Sequence, residues 1–121
     1  MFKVHHDAKM IPVTFVSPDY TLNNQILPAL NVSASQDTMG VVHITIVNID
    51  PNKQVTISTT LNQVKYSSVT GQIITSAKIT DINTFDKPDV VKIAKFDGAK
   101  KVGDILNVVM PAKSVVMLEI K

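Results

Sequence analysis

The chain has 121 residues, one domain's worth, and it spends 17 valines, 13 isoleucines and 11 threonines where leucine and alanine together number 13. That bias argues against a helical bundle, which would use leucine, alanine, glutamate and arginine. There is no cysteine, so disulfides, thiolate metal sites and cysteine nucleophiles are excluded. The net charge of +2, with no arginine, argues against a nucleic-acid partner.

The opening Met1-Phe2-Lys3-Val4-His5-His6-Asp7 carries no apolar stretch of the signal-peptide kind, and no later run of about 18 apolar residues would span a membrane. Residues 10–16 alternate loosely and stop at the turn-favouring Ser17-Pro18-Asp19. Residues 29–33 form a short alternating run closed by a polar segment from Ser35 to Gly40. The clearest strand is 41–48, with Val42, Ile44 and Ile46 on one face and His43 and Thr45 on the other.

Asp50-Pro51-Asn52 is a turn, and 53–59 resumes the two-residue period with Val55 and Ile57. Residues 66–76 are strand-like, and Thr70-Gly71 midway predicts a hairpin turn or a bulge. Residues 78–91 are irregular, with Asp81, Asn83, Asp86, Pro88 and Asp89. Asp97-Gly98 and Val102-Gly103-Asp104 bracket a lysine-bearing turn, and strands follow at 105–109 and 114–120. Seven to nine short strands and no amphipathic helix predict an all-β fold. The expectation is one domain over residues 1–121, an antiparallel β-sandwich, with a closed barrel as the second choice.

Chemistry is hard to place on this pattern. Glycoside hydrolysis needs two carboxyl groups across the scissile bond. The sole glutamate, Glu119, points away from Leu118 and Ile120 in the last strand. Asp19, Asp37, Asp50, Asp86, Asp89, Asp97 and Asp104 sit where turn chemistry explains them. His5 and His6 are adjacent, and neighbours in an extended chain diverge, so they do not share a metal ion; His43 is remote. Gly98 to Asp104 lacks the lysine and hydroxyl residue of a phosphate loop, and no nucleophile elbow is present. Asn31-Val32-Ser33 fits a glycosylation sequon but lies inside an expected strand. The rings of Phe2, Phe15, Tyr20, Tyr66, Phe85 and Phe96 are expected to pack in the core or in turns. The residues themselves therefore predict a non-catalytic module with no catalytic, cofactor or metal site.

Four segments resemble one family. Met1 to Ala8 resembles the stretch where α-L-arabinofuranosidases of glycoside hydrolase family 51 leave their catalytic barrel, with His6 in place of the usual glutamine. Val47-Asn48-Ile49-Asp50-Pro51-Asn52-Lys53 is similar to the family's "VNLDP" strand and turn. Asn83-Thr84-Phe85-Asp86-Lys87-Pro88-Asp89-Val90-Val91 is similar to its "NTFE.P..V" segment, with Asp86 for glutamate. Met110 to Glu119 resembles the closing "LPAKSVVVLEL".

Order and spacing agree over essentially the whole chain. The resemblance implies a jelly-roll-like C-terminal sandwich packed on a (β/α)₈ barrel that carries two catalytic glutamates and cleaves terminal α-L-arabinofuranosyl groups with retention. Neither glutamate maps onto this chain, so the chain alone is expected to be inactive. The implied partner is the barrel of the same polypeptide, with Phe2, Val4 and His5 as contact residues, and a homo-oligomeric parent is a further expectation. The family's amino-terminal strand also joins the sandwich, so these 121 residues should expose a sheet edge, covered by self-association or by a loop. Two other functions compete: a carbohydrate-binding module for arabinan or arabinoxylan, and a fragment that hydrolyses glycosides by itself. The sequence fixes neither the cellular location nor the polysaccharide.

Overall fold

The computed structural model describes residues 1–62 and 64–121. Among these residues a 3₁₀ turn at Phe2–His5 is followed by eleven strands: β1 Lys9–Ile11, β2 Asp19–Leu22, β3 Gln25–Pro28, β4 Leu30–Gln36, β5 Val42–Asn48 and β6 Val55–Thr60. Then follow β7 Val69–Ile74, β8 Ile93–Lys95, β9 Ala99–Val102, β10 Ile105–Met110 and β11 Ser114–Ile120. A six-stranded sheet in the order β1-β4-β5-β11-β7-β8 packs against a three-stranded sheet, β6-β10-β9, and every pairing is antiparallel. The expected all-β sandwich is therefore the architecture, as two facing sheets rather than a closed barrel.

Period-two patterning builds the core. In β10, Leu106, Val108 and Met110 turn inward while Asn107 and Val109 turn out; in β11 the inward set is Val116, Leu118 and Ile120. Val42 and Ile46 of β5, Leu30 of β4, Ile73 of β7 and Phe96 complete the buried cluster. Phe96 is the one aromatic ring in that buried set. Phe2, Phe15 and Phe85, expected to pack, are exposed instead.

Three local readings of the sequence need correction. Thr70-Gly71 is neither turn nor bulge: β7 pairs with β11 without interruption from Val69↔Ile120 to Ile74↔Val115. Gly71 is there because Phe96 and Leu118 lie where its side chain would be, with a Cβ meeting Phe96 Cδ1 at 2.9 Å and Leu118 Cδ2 at 3.1 Å. Residues 99–102, expected as a turn, are strand β9, and the turn is confined to Gly103-Asp104, where Gly103 has φ +61°. A hairpin, β2–β3, occupies the stretch after Ser17-Pro18 and turns at Asn23 and Asn24, with φ of 49° and 64°. Asparagine tolerates that left-handed backbone, and the resulting turn matches the twist of the strands.

The second sheet is narrow. The edge of β6 away from β10 carries no strand among the described residues. Beside it a cleft of about 570 Å³ runs between β6, the arm 11–16 and the inner faces of β4 and β5, reaching Val32, Ile44, Val55 and Ile57.

Candidate docking face

The six-stranded sheet has a second face, turned away from the core. Cross-strand register arranges its side chains in rows. One row is Ser35, His43, Glu119 and Thr70; the next is Ser33, Thr45, Met117, Gln72 and Lys95. The row after that, next to the ends of β5 and β7, is Val47, Val115, Ile74 and Ile93, running across four adjacent strands. The first three of these aliphatic side chains are half-buried and Ile93 is exposed. An uninterrupted aliphatic row on a face that the sandwich itself does not cover fits a partner surface better than water. Sequence reading missed it, although the signal was present. Ile46-Val47, Ile73-Ile74 and Val115-Val116-Met117-Leu118 are continuous apolar runs where a half-solvated strand would alternate.

The polar end of the face is organised by the opening segment. The 3₁₀ turn Phe2–His5 lies against β4 and β5, and the N–H of His6 closes it on the Lys3 carbonyl at 3.1 Å. His5 sits between the two strands, with Nδ1 2.6 Å from Ser35 Oγ and Nε2 2.8 Å from Thr45 Oγ1. A neutral imidazole donates with one nitrogen and accepts with the other, and hydroxyls serve either role, so both bonds are satisfied without a charge. Burial, and the His43 ring nearby, push the pKa of His5 below its ordinary 6.5. His5 thus covers Ser35 and Thr45, both buried. Val4 is half-buried beside it, while Phe2 is exposed.

His43 is buried under the same segment. Its Nε2–H donates to Asp37 Oδ2 at 3.2 Å, which fixes the tautomer and leaves Nδ1 as a buried acceptor with no hydrogen-bond donor. Burial alone would raise the Asp37 carboxyl. The N–H of Val41, the His43 ring and the N–H of Met39 outweigh it and hold the group below its usual range. His6 stands apart from both histidines, exposed and 2.8 Å from Asp7. Among the described residues no three His, Cys, Asp or Glu side chains are grouped so as to hold a metal ion.

Asp50 and Asp81 serve turns, whereas Asp19, expected in a turn, opens strand β2 opposite Pro28, and Asp97 pairs with Lys95 at 2.8 Å. Asp50 accepts the N–H groups of Asn52 at 2.8 Å and Lys53 at 2.9 Å, while Asp81 accepts the Ser76 hydroxyl and the Lys78 N–H. These bonds depress both carboxyls. Glu119 lies on the outer face and pairs with Lys121. Asp50 and Asp81 are thus acceptors for turn groups on separate loops, and among the described residues neither is paired with a second carboxylate.

The family model describing the α-L-arabinofuranosidase C-terminal domain matches residues 1–114. The chain belongs to that family. This C-terminal domain is 35% identical, over its whole length, to an intracellular exo-α-L-arabinofuranosidase of Bacteroides ovatus, of which it covers 24%. Its fold matches the family 51 arabinofuranosidase of Xanthomonas axonopodis pv. citri at a TM-score of 0.96, with 32% identity, covering 99% of this chain and 24% of that one. The fold also matches the thermostable family 51 α-L-arabinofuranosidase of Thermotoga petrophila at a TM-score of 0.79 and 19% identity, covering 98% of this chain and 27% of that one. The domain spans about a quarter of the length of these relatives.

Proposed function

We propose that this domain is the non-catalytic accessory part of a longer α-L-arabinofuranosidase, and that it stabilises a catalytic barrel by packing its outer face against it. The barrel would release terminal non-reducing α-L-arabinofuranosyl groups with retention, and the same contact would support oligomer assembly. The observation that carries this reading is the aliphatic row Val47–Val115–Ile74–Ile93 on the face left open by the sandwich. Covering roughly 200 Å² of such surface is worth about 5 kcal/mol before association costs, enough to matter to a barrel of ordinary stability. His5 supports the reading by holding the opening segment on this same face. Polypeptide ahead of Met1 then approaches from that side, which makes Phe2, Val4 and His5 first contacts.

The open edge of β6 and its cleft support a second element of the proposal. A strand from the parent's amino-terminal region pairs with β6 and closes the core.

Full-length parent and the 121-residue chain are to be compared, each with and without Ile93→Lys. The substitution, at an exposed position, should leave melting of the 121-residue chain nearly unchanged and lower that of the parent by several degrees. A nitrophenyl-arabinofuranoside should be turned over by the parent and not by the short chain. Turnover by the short chain, or identical melting of the two parents, would refute the assignment.

A further inference from the structure

The 75–92 connection between β7 and β8 concentrates apolar side chains in solvent. Ile79 is 74% exposed, Ile82 69%, and Phe85 108%, more than a phenylalanine in an open peptide shows. Val90 and Ile93 extend the same exposure to the start of β8. A slack loop would fold such side chains back onto the nearest apolar surface. This one is tied open. Asn83 pairs with the backbone of Val91 as a strand neighbour would: its Nδ2 donates to the Val91 carbonyl and its Oδ1 accepts the Val91 N–H, both at 2.7 Å. Within that clamp, Thr84 and Lys87 exchange backbone hydrogen bonds at 3.1 Å each way, and the Thr84 hydroxyl accepts a third from the Lys87 N–H at 3.1 Å. The four-residue turn closes on itself with Phe85 in its middle and Pro88 immediately behind. At the root, Asp81 receives Ser76 and Lys78, and the Thr75 hydroxyl donates to the Lys113 carbonyl at 3.2 Å.

We infer that the Phe85 turn is an anchor that inserts the Phe85 ring into an apolar socket on the catalytic barrel of the same polypeptide. This rests on the accessory-domain reading above and adds a specific residue to it. Two observations choose the barrel as occupant. About three quarters of the length of the matched relatives lies outside this domain, so a large protein surface belongs beside it. The aliphatic row on the outer face also ends at Ile93, two residues beyond Val91 where the Asn83 clamp closes, so the loop adjoins the end of that row. Charges of alternating sign follow Phe85 along the loop, Asp86, Lys87, Asp89 and Lys92, all exposed, and suit the polar rim of an interface around an aromatic anchor. A ring preset in the docking position forfeits little conformational entropy on contact.

The test uses the full-length parent with a photo-reactive benzoyl-phenylalanine placed at Phe85 in one preparation and at Val115 in another. Irradiation should join each position to peptides ahead of Met1 within one chain. Capture from Val115 but not from Phe85 overturns the anchor and leaves the docking face standing. Capture from Phe85 but not from Val115 upholds the anchor and overturns the docking face. Capture from neither removes both. Cross-links from Phe85 that double the mass assign the socket to a second copy and overturn the barrel as occupant. As a control, Phe85→Ala should leave the melting temperature of the 121-residue chain within about 1 °C, since the ring is fully exposed; a large drop there would make Phe85 a residue of the domain's own stability and overturn the inference.

Discussion

Phe96 lies between two glycines, and the arrangement gives a quantitative test of how the sandwich is packed. A Cβ on Gly71 would stand 2.9 Å from Phe96 Cδ1 and 3.1 Å from both Phe96 Cβ and Leu118 Cδ2. Carbon atoms at rest sit about 3.5–4.0 Å apart, so the ring must retreat by roughly half an ångström or more. The other end of the ring lies close over Gly98, where even a Cβ would meet Phe96 Cζ at 2.5 Å and Cε2 at 2.7 Å, so little room is left for it to retreat that way. Overpacking of this kind costs about 1–3 kcal/mol, offset by about 0.5–1 kcal/mol from the smaller backbone freedom of alanine in the unfolded chain. Gly71→Ala should therefore destabilise by about 1–2 kcal/mol, and Phe96→Ala by about 3–5 kcal/mol. With the ring gone, the 2.9 Å contact with Cδ1 disappears, while the Cβ of position 96 and the flexible end of Leu118 stay at 3.1 Å, so the cost of Gly71→Ala should fall without vanishing. The coupling between the two sites is then about 1 kcal/mol. Urea titrations of the four chains, followed by far-ultraviolet circular dichroism, measure it directly; at an m-value of about 2 kcal/mol/M the Gly71→Ala midpoint drops by roughly 0.5–1 M. Equal cost for Gly71→Ala with and without Phe96 would refute the packing argument.

Three further outcomes follow from the same structure. Stability should fall in two stages on acidification. His5, with its folded pKa lowered, contributes stability that is full above 6.5 and is lost as pH falls through the lowered value, whereas Asp37, Asp50 and Asp81 contribute above 3.8 and lose it below. Melting temperatures across pH should show both stages, and His5→Gln should remove the first. Asn48→Ala should destabilise by about 2–4 kcal/mol, since the Asn48 side chain donates to the Lys53 and Pro111 carbonyls at 3.0 and 2.9 Å and accepts the Asp50 N–H at 3.1 Å, all near buried ground. Leu118→Ala, at a fully buried position, should cost about 2–5 kcal/mol in the same urea assay, and Phe85→Ala close to nothing.

The strands that face the second sheet were legible because their pattern has a single cause. Val42, Ile44 and Ile46, then Leu106 and Val108, then Val116, Leu118 and Ile120 alternate because one side chain in two meets the core. Gly71 misleads because a glycine that makes room for an aromatic ring reads, in sequence, like one that turns the chain; the difference lies in Phe96, 25 positions away. The hairpin at Asn23-Asn24 went unread because its flanking strands bury little and so carry no alternation. The outer face was hidden by a different ambiguity. Continuous apolar runs in β5, β7 and β11 say that both faces want cover, and the sequence cannot say that one cover is a second sheet and the other is not. Phe85 is the sharpest case. Phenylalanines usually pack, and only the Asn83 clamp shows that this one is held away from its own domain. His5 and His6 separated for a reason local to the chain. The 3₁₀ turn ends between them, sending one ring onto β4 and β5 and the other into solvent.

The position of β11 has a consequence for how this domain can be made. In the six-stranded sheet it lies between β5 and β7, yet it follows both in the chain. While the polypeptide is emerging from the ribosome, β5 and β7 must wait with facing edges unpaired until residues 114–120 arrive to join them. Forty positions separate β7 from the β11 segment that zips onto it, and more than sixty separate β5 from it. Assembly is therefore governed by a late insertion into the middle of the sheet, a slow and non-local step. During that wait the two edges are open to any other strand nearby.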